Sequence, residues 1–273
     1  GESTWNKDDA QVPAQSTASR TVRRRGVVIR WIGAGLLASV ATFTLIALNG
    51  TAPAAREPLH PESDSPEGAK ALVHVLDEHG VPVHLTQGRE ESLLRLDNSR
   101  NSTLVITAPT VPSDAAITSM KELVAAANHT VFLIADEKVL ADFELGEIAP
   151  LAPENLVREP GNEACPENRF ATVGEIQAGV LFKPAPGVRG CFSDDAGDAA
   201  LLVSPNSLSP ADNATISMID ATEIFDNAHL AKDGNAALAF ALLGGADQAG
   251  WYQATPEDLA ADRWNDFSRV IVK

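Results

Sequence analysis

The segment STLVITAPTVPSDAAITSMKELVAAANHTVFLIA (102–135) decides the fold of this chain. It begins and ends with apolar runs, 102–108 and 130–135, whose β-branched residues predict buried strands. Ser113 lies between them as a helix N-cap residue. The apolar residues after it recur at helical spacing, namely Ile117, Met120, Val124 and Ala127. Continuous apolar strands joined by a helix predict a parallel pair that is covered on both faces.

The same alternation extends to both sides of this unit. Further strands are predicted at 81–85, 199–203, 215–219 and 250–253. Further helices are predicted after Ser65, at 90–96, at 234–243 after Asp233, and at 256–264. The order predicts an α/β fold, a three-layer sandwich around a mostly parallel sheet, in a domain of residues 65–273. Residues 145–198 break the rhythm with six prolines, and we interpret them as an irregular elaboration of loops that could include a β-hairpin.

An uncharged run, WIGAGLLASVATFTLIAL from Trp31 to Leu48, is long enough to span a bilayer as a helix. Arginines are concentrated on its N-terminal side, so the positive-inside rule predicts an N-terminus in the cytoplasm. We therefore predict a cytoplasmic tail (1–25), a transmembrane helix (26–49) and a proline-containing linker (50–64) before the extracytoplasmic domain. A run that is apolar on all sides disfavours a buried core helix. A cleaved signal peptide stays open as an alternative.

The charge of the chain is unevenly distributed. The formal net charge is −16, but residues 1–30 carry a net charge of +3 and the remainder carries −19. An acidic domain disfavours nucleic acid and anionic lipid as partners of its surface. Solubility alone also explains such a surface.

The two cysteines, Cys165 and Cys191, both fall in the part placed outside the cytoplasm. An even count in an oxidising compartment predicts a disulfide between them rather than free thiols. Closing a loop of about 25 residues stabilises a fold by roughly 3 kcal/mol.

Signatures of catalysis are missing. The sequence holds no G-x-S-x-G elbow, dinucleotide fingerprint or P-loop, and no cofactor is predicted. Asp220 and Glu223 directly follow the predicted strand 215–219. They are weak acid/base candidates, because ligand sites in α/β sheets lie beyond the carboxyl ends of the strands.

No metal site is predicted either. The acidic segment FSDDAGD (192–198) fits no EF-hand spacing, and a solvated turn and a Ca²⁺ loop both stay open. The six histidines lack ligand spacing and are interpreted as surface or capping residues. They are His60, His74, His79, His84, His129 and His229.

Three motifs and the arginine-flanked apolar run carry a resemblance. The motifs are SPEGAKAL (65–72), LVITAPT (104–110) and GNAALAFALLGG (234–245). Together they resemble the actinobacterial membrane family of the domain of unknown function 4350. The resemblance implies a fold similar to class I glutamine amidotransferases, to gliding-motility ABC auxiliary proteins or to flavodoxin. It also implies an envelope complex with a MoxR-type ATPase and a von Willebrand factor A-like protein, and in such relatives a second transmembrane helix beyond Lys273.

The amidotransferase nucleophile of that resemblance, a cysteine on a strand-to-helix elbow, has no matching position here. The expected function is thus a single-pass, membrane-anchored, non-catalytic scaffold in the cell membrane, bound to protein partners. The alternatives are an envelope hydrolase with an acid/base site near Asp220 and Glu223, and a small-ligand sensor domain.

Overall fold

A computed structural model describes residues 57–97, 101–107, 112–150, 156–158, 165 and 168–259. The predicted tail, the apolar run at 31–48 and the first part of the predicted linker lie outside these residues. Within the described part of the chain, no helix is long and apolar enough to cross a membrane.

The protein is a mixed α/β structure with one large sheet. Its described helices are α1 (Lys70–Glu78), α2 (Gly88–Asp97), α3 (Asp114–Ala126), α4 (Glu137–Asp142) and α5 (Asn235–Leu243), with a 3-10 turn at Asn168–Phe170. Its described strands are β1 (Val83–Gln87), β2 (Ser102–Ile106), β3 (His129–Phe132), β4 (Gly146–Ile148), β5 (Leu156–Arg158), β6 (Ile176–Ala178), β7 (Phe182–Pro184), β8 (Arg189–Ser193), β9 (Ala199–Pro205), β10 (Thr215–Ile219) and β11 (Gln248–Gln253).

Nine of these strands form the main sheet in the order β1-β11-β2-β3-β10-β9-β7-β4, and β8 also pairs with β9. Strands β1, β11, β2, β3 and β10 are mutually parallel. Strands β4, β7, β8 and β9 join the sheet in antiparallel fashion. The prediction of an α/β fold is confirmed, whereas the prediction of a mostly parallel sheet holds only for the half that contains β1–β3.

The antiparallel half has a simple physical reason. Strands β8, β9 and β10 pair in succession through connections of five and nine residues, 194–198 and 206–214. Connections this short join only antiparallel neighbours, because a parallel crossover needs a dozen residues or more. The sequence alone does not distinguish the apolar run of β9 from that of a parallel strand. The first five residues of β9 are buried as completely as those of β2.

Helices cover both faces of the sheet. Successive residues of β2 point to opposite faces, with Leu104 and Ile106 in one apolar cluster and Val105 in another. Helices α2, α3 and α4 contribute to the first cluster. Helices α1 and α5, together with the segment that contains β6, contribute to the second. The result is three layers with two separate cores.

The helix starts test the predicted caps. Ser113 caps α3 as predicted, accepting a hydrogen bond from the Ala116 N–H at 3.1 Å. The start predicted at Ser65 is wrong, because α1 begins at Lys70. The cap predicted at Asp233 is also wrong, because Gly234 takes that position and its N–H donates to the Glu175 carbonyl at 2.8 Å.

The predicted disulfide is confirmed. Cys165 and Cys191 are bonded across a sequence separation of 26 residues, and both are buried. The bond ties position 165 to β8. Beside it the rings of Phe170 and Phe192 meet edge to face at 6.3 Å in the core on the α1 and α5 side. The elaboration at 145–198 is more regular than predicted, because five short strands lie within it.

Candidate functional site

The crevice between β3 and β10 is the position where an α/β sheet of this topology would bind a ligand. After β3 the chain continues into α4 on one face of the sheet. After β10 it continues through Ile224 and Phe225 into the core on the opposite face. Neighbouring parallel strands whose connections leave to opposite faces form a topological switch point, where ligands bind beyond the strand carboxyl ends.

Asp220, a predicted acid/base candidate, closes this crevice with hydrogen bonds. Its Oδ2 accepts from the Ala135 N–H at 3.2 Å, across the switch point. Its Oδ1 accepts from the Thr222 N–H at 3.2 Å and from the Thr222 hydroxyl at 2.5 Å. The Ala221 N–H adds a second bridge by donating to the Leu133 carbonyl at 2.8 Å. The Asp220 carboxylate therefore joins the loop after β3 to the loop after β10.

Glu223, the other predicted candidate, lies on the exposed side of the same loop. Among the described residues no hydrogen bond or ion pair joins it to Asp220. The structure thus places both residues at the predicted edge of the sheet but does not pair them.

A different acid and base meet a few residues further on. The Asp226 side chain is buried, and its two oxygens lie 2.7 and 2.9 Å from Nδ1 of His229. The His229 backbone N–H also donates to Asp226 at 2.8 Å. A carboxylate only accepts hydrogen bonds, so Nδ1 is the donor and Nε2 is left outside the pair. Sequence reasoning missed this pair, although the D-x-x-H spacing in the loop after β10 signals it.

Asn227, between these two residues, connects the loop to the start of α1. Its Oδ1 accepts from the Ala71 N–H at 2.8 Å, and its Nδ2 donates to the carbonyls of Ser63 at 2.9 Å and Ser65 at 2.6 Å. Its backbone N–H donates to the Gly68 carbonyl at 2.8 Å. A side chain from 156 residues away therefore supplies the N-terminal cap that α1 does not find locally.

Gly68 explains why α1 begins late. A Cβ at this position would lie 2.2 Å from the Ser63 carbonyl oxygen, so only glycine allows the chain to approach itself this closely. The Gly68 N–H donates to the Ser65 carbonyl at 3.0 Å, which closes a turn. The segment 65–68 is thus a turn clamped by Asn227 and not the first turn of a helix.

The described residues line cavities of about 730, 410 and 210 Å³. The largest is an open groove along α1, between Asp64 and Asp77, that reaches Val83 of β1. The smallest lies at the carboxyl ends of β1 and β11, beside Arg89 and Asp258. The cavity of about 410 Å³ lies at the opposite edge of the sheet, at the amino ends of β3 and β10.

Tyr252 lies next to the smallest cavity and is almost fully buried. Its hydroxyl donates to Asp258 at 3.0 Å, and Asp258 also accepts from the Thr255 N–H at 3.1 Å. Burial, and then the neighbouring Asp258 carboxylate, raise the pKa of the Tyr252 hydroxyl.

The acidic segment 192–198 forms a turn. Oδ1 of Asp194 accepts from the N–H groups of Ala196 and Asp198, each at 2.9 Å. Across the described ranges, no group of three or more His, Cys, Asp or Glu side chains is arranged to hold a metal ion.

Residues 61–243 match the family described as "Domain of unknown function (DUF4350)". The chain belongs to this family. No curated protein matches it. A solved structure titled "mmIFT52 N-terminal domain" is similar with a TM-score of 0.32 and 9% sequence identity, over 57% of this chain and 93% of that chain.

The DUF4350 match coincides with the turn and loop described above. It begins shortly before the segment 65–68 and ends with the last residue of α5, so it includes Asn227 and the Asp226–His229 pair. It stops before β11, although β11 lies in the sheet between β1 and β2.

Proposed function

We propose that this DUF4350 chain is a membrane-anchored, non-catalytic binding or scaffold domain of a bacterial envelope complex. The run from Trp31 to Leu48 crosses the cell membrane once, the N-terminus is cytoplasmic, and the α/β domain is extracytoplasmic. The domain has a three-layer core of the class I glutamine amidotransferase-like or flavodoxin-like kind. Its partners are proteins, with a MoxR-type ATPase and a von Willebrand factor A-like protein of actinobacterial envelopes as the first candidates.

The hydrogen bonds across the switch point are the observation that carries this proposal. The Ala135 N–H to Asp220 bond and the Ala221 N–H to Leu133 bond bridge the crevice in which a substrate would bind. An enzyme that used this crevice would need Asp220 to be available to the substrate. Here its oxygens accept three hydrogen bonds from the protein itself.

The state of the cysteines agrees with the proposal. An amidotransferase-like mechanism needs a thiolate nucleophile. The chain has two cysteines, and they are joined to each other in a disulfide.

Photocrosslinking in the native membrane tests the scaffold function. Crosslinking residues at three exposed apolar positions, Leu94, Leu208 and Phe240, sample three separate surfaces of the domain. A scaffold should give the same partner protein repeatedly from one of these positions and not from the other two. Because the three positions serve as controls for one another, nonspecific capture would appear as equal labelling at all of them.

The runner-up is an envelope hydrolase, and a specific observation favours it. The 2.7 Å contact between Asp226 and His229 is the geometry that orients a histidine for general base catalysis. A His229→Gln variant should abolish turnover of an envelope substrate if this pair is catalytic. Such a loss, with recovery of the protein alone in the crosslinking experiment, would contradict the scaffold proposal.

A further inference from the structure

We propose that the cavity of about 410 Å³ at the amino ends of β3 and β10 binds a small molecule through a carboxylate or phosphate group. His129 and Thr215, which open these two strands, line the cavity, and Ser204 of β9 lies beside them. Arg169 and Arg189 complete it. The cavity lies at the edge of the sheet opposite the bridged crevice, so the inference is independent of the proposed scaffold function.

The described lining of this cavity has a charge opposite to that of the protein. Of the described residues that line it, two are arginines and none is Asp or Glu. The chain as a whole has a net charge of −16. Solubility accounts for an acidic surface but does not account for a concave cationic site within it. Guanidinium groups are the preferred partners of carboxylates and phosphates, because their parallel N–H donors match the two oxygens of such an anion.

The two arginines are held in different ways. Arg169 packs over the Phe170 ring at 4.7 Å, and its Nη1 donates to the Ala241 carbonyl at 3.5 Å. Arg189 is the first residue of β8, where the backbone pairs with Val203 of β9. Its exposed side chain makes no hydrogen bond or ion pair with any described residue, so its guanidinium is available to a ligand. Arg169 therefore forms a fixed wall, and Arg189 closes on the anion.

A histidine and a hydroxyl group add polar contacts to the site. Nδ1 of His129 and the Thr215 hydroxyl lie 3.0 Å apart, and the two residues face each other in the register of β3 and β10. A hydroxyl can donate to an anion while it accepts from the histidine. The volume lies within the range of small-molecule sites, about 300–1,000 Å³. These features fit a ligand of metabolite size with one or two acidic groups.

Calorimetric titration of the full chain, kept in detergent, tests the site with two probes. Pyrophosphate represents phosphate ligands and citrate represents carboxylate ligands, each titrated against sodium chloride of equal ionic strength. We expect saturable binding of at least one probe. Arg189→Gln should weaken it about tenfold or more, because a charge-assisted contact is lost. Arg189→Lys, which keeps the charge without the planar fork, should weaken it less.

Arg95→Gln is the matched control, because it removes the same charge from α2, away from the cavity. Binding of pyrophosphate alone assigns the site to phosphates, and binding of citrate alone assigns it to carboxylates. The proposal is overturned if neither probe binds saturably above the salt control. It is equally overturned if Arg189→Gln and Arg95→Gln weaken binding to the same extent.

Discussion

Tyr252 is the only tyrosine of the chain, so its ionisation can be followed without interference from another tyrosine. Burial and Asp258 raise its pKa in the folded protein above the ordinary value of about 10. The stability linked to this group is fully present below pH 10 and is lost as the pH rises above 10, where only the unfolded chain releases the proton. We expect tyrosinate absorbance to appear near pH 10 in denaturant and only at higher pH in the native protein.

The Tyr252→Phe variant is the control for this pH dependence. Its alkaline loss of stability, measured by urea unfolding at several pH values, should be shallower than that of the wild type. Identical tyrosinate titration curves for native and denatured protein would show that the hydroxyl is not buried against Asp258.

Asn227 supplies a second residue-scale prediction. Asn227→Ala removes the acceptor of the Ala71 N–H and one donor to each of the Ser63 and Ser65 carbonyls, and we expect a loss of about 1–3 kcal/mol in the free energy of unfolding. Asn227→Asp keeps an acceptor for Ala71 but places a carboxylate oxygen against the carbonyls of Ser63 and Ser65, so its loss should be at least as large. Urea unfolding measures both. An unchanged free energy of unfolding in both variants would contradict the role of the side chain as the clamp of the 65–68 turn.

The same residues show why the site was only partly predictable. Because Asp220 and Glu223 follow a predicted strand, the sequence placed them at the edge of the sheet where the strand carboxyl ends lie. One partner of Asp220, the Ala135 N–H, lies 85 residues away in sequence, so no local pattern reveals that the carboxylate bridges the two loops. The Asp226–His229 pair is local and was readable from its spacing.

At the scale of elements, the Cys165–Cys191 bond has a measurable effect. It closes a loop with a sequence separation of 26 residues, and a bond of this span stabilises a fold by roughly 3 kcal/mol. We expect the Cys165→Ala, Cys191→Ala double variant to unfold at a clearly lower urea concentration than the oxidised wild type. The wild type with reductant is the matched control and should approach the double variant. An unchanged midpoint in the double variant would show that the elaboration is held by packing alone.

Strands in the centre of the sheet were predictable because their sequences are apolar throughout. The bounds of β10 were predicted without error, and those of β2 to within two residues. The strands between 145 and 198 were not, because three-residue strands such as β4, β6 and β7 are too short to show a period. Helix α4 was missed for a similar reason, since it has six residues and depends on its Asp136 cap, which accepts from the N–H groups of Lys138 and Val139.

At the scale of the whole molecule, β11 makes the fold depend on residues beyond the DUF4350 match. Each of its neighbours, β1 and β2, pairs with it at five positions. Its residues Trp251 and Tyr252 are buried on opposite faces of the sheet, one in each core. Strand β11 is the last described strand in the sequence, but it lies in the sheet between two earlier strands, β1 and β2. It therefore connects the two cores.

A chain that ends at Gly245 should therefore not fold cooperatively, although it contains every residue of the family match. Without β11, strand β1 loses the one strand that it pairs with among the described residues. The deletion also removes the buried side chains of Trp251 and Tyr252, and the loss of each such side chain lowers the free energy of unfolding by about 3–5 kcal/mol. Their sum reaches the whole stability of a typical domain, about 5–15 kcal/mol. A chain that ends at Leu259 keeps β11 and is the matched control, for which we expect a sigmoidal urea transition. Circular dichroism with urea titration of both truncations measures this, and a cooperative transition in the shorter one would mean that β11 is an accessory strand and that residues 61–243 fold without it.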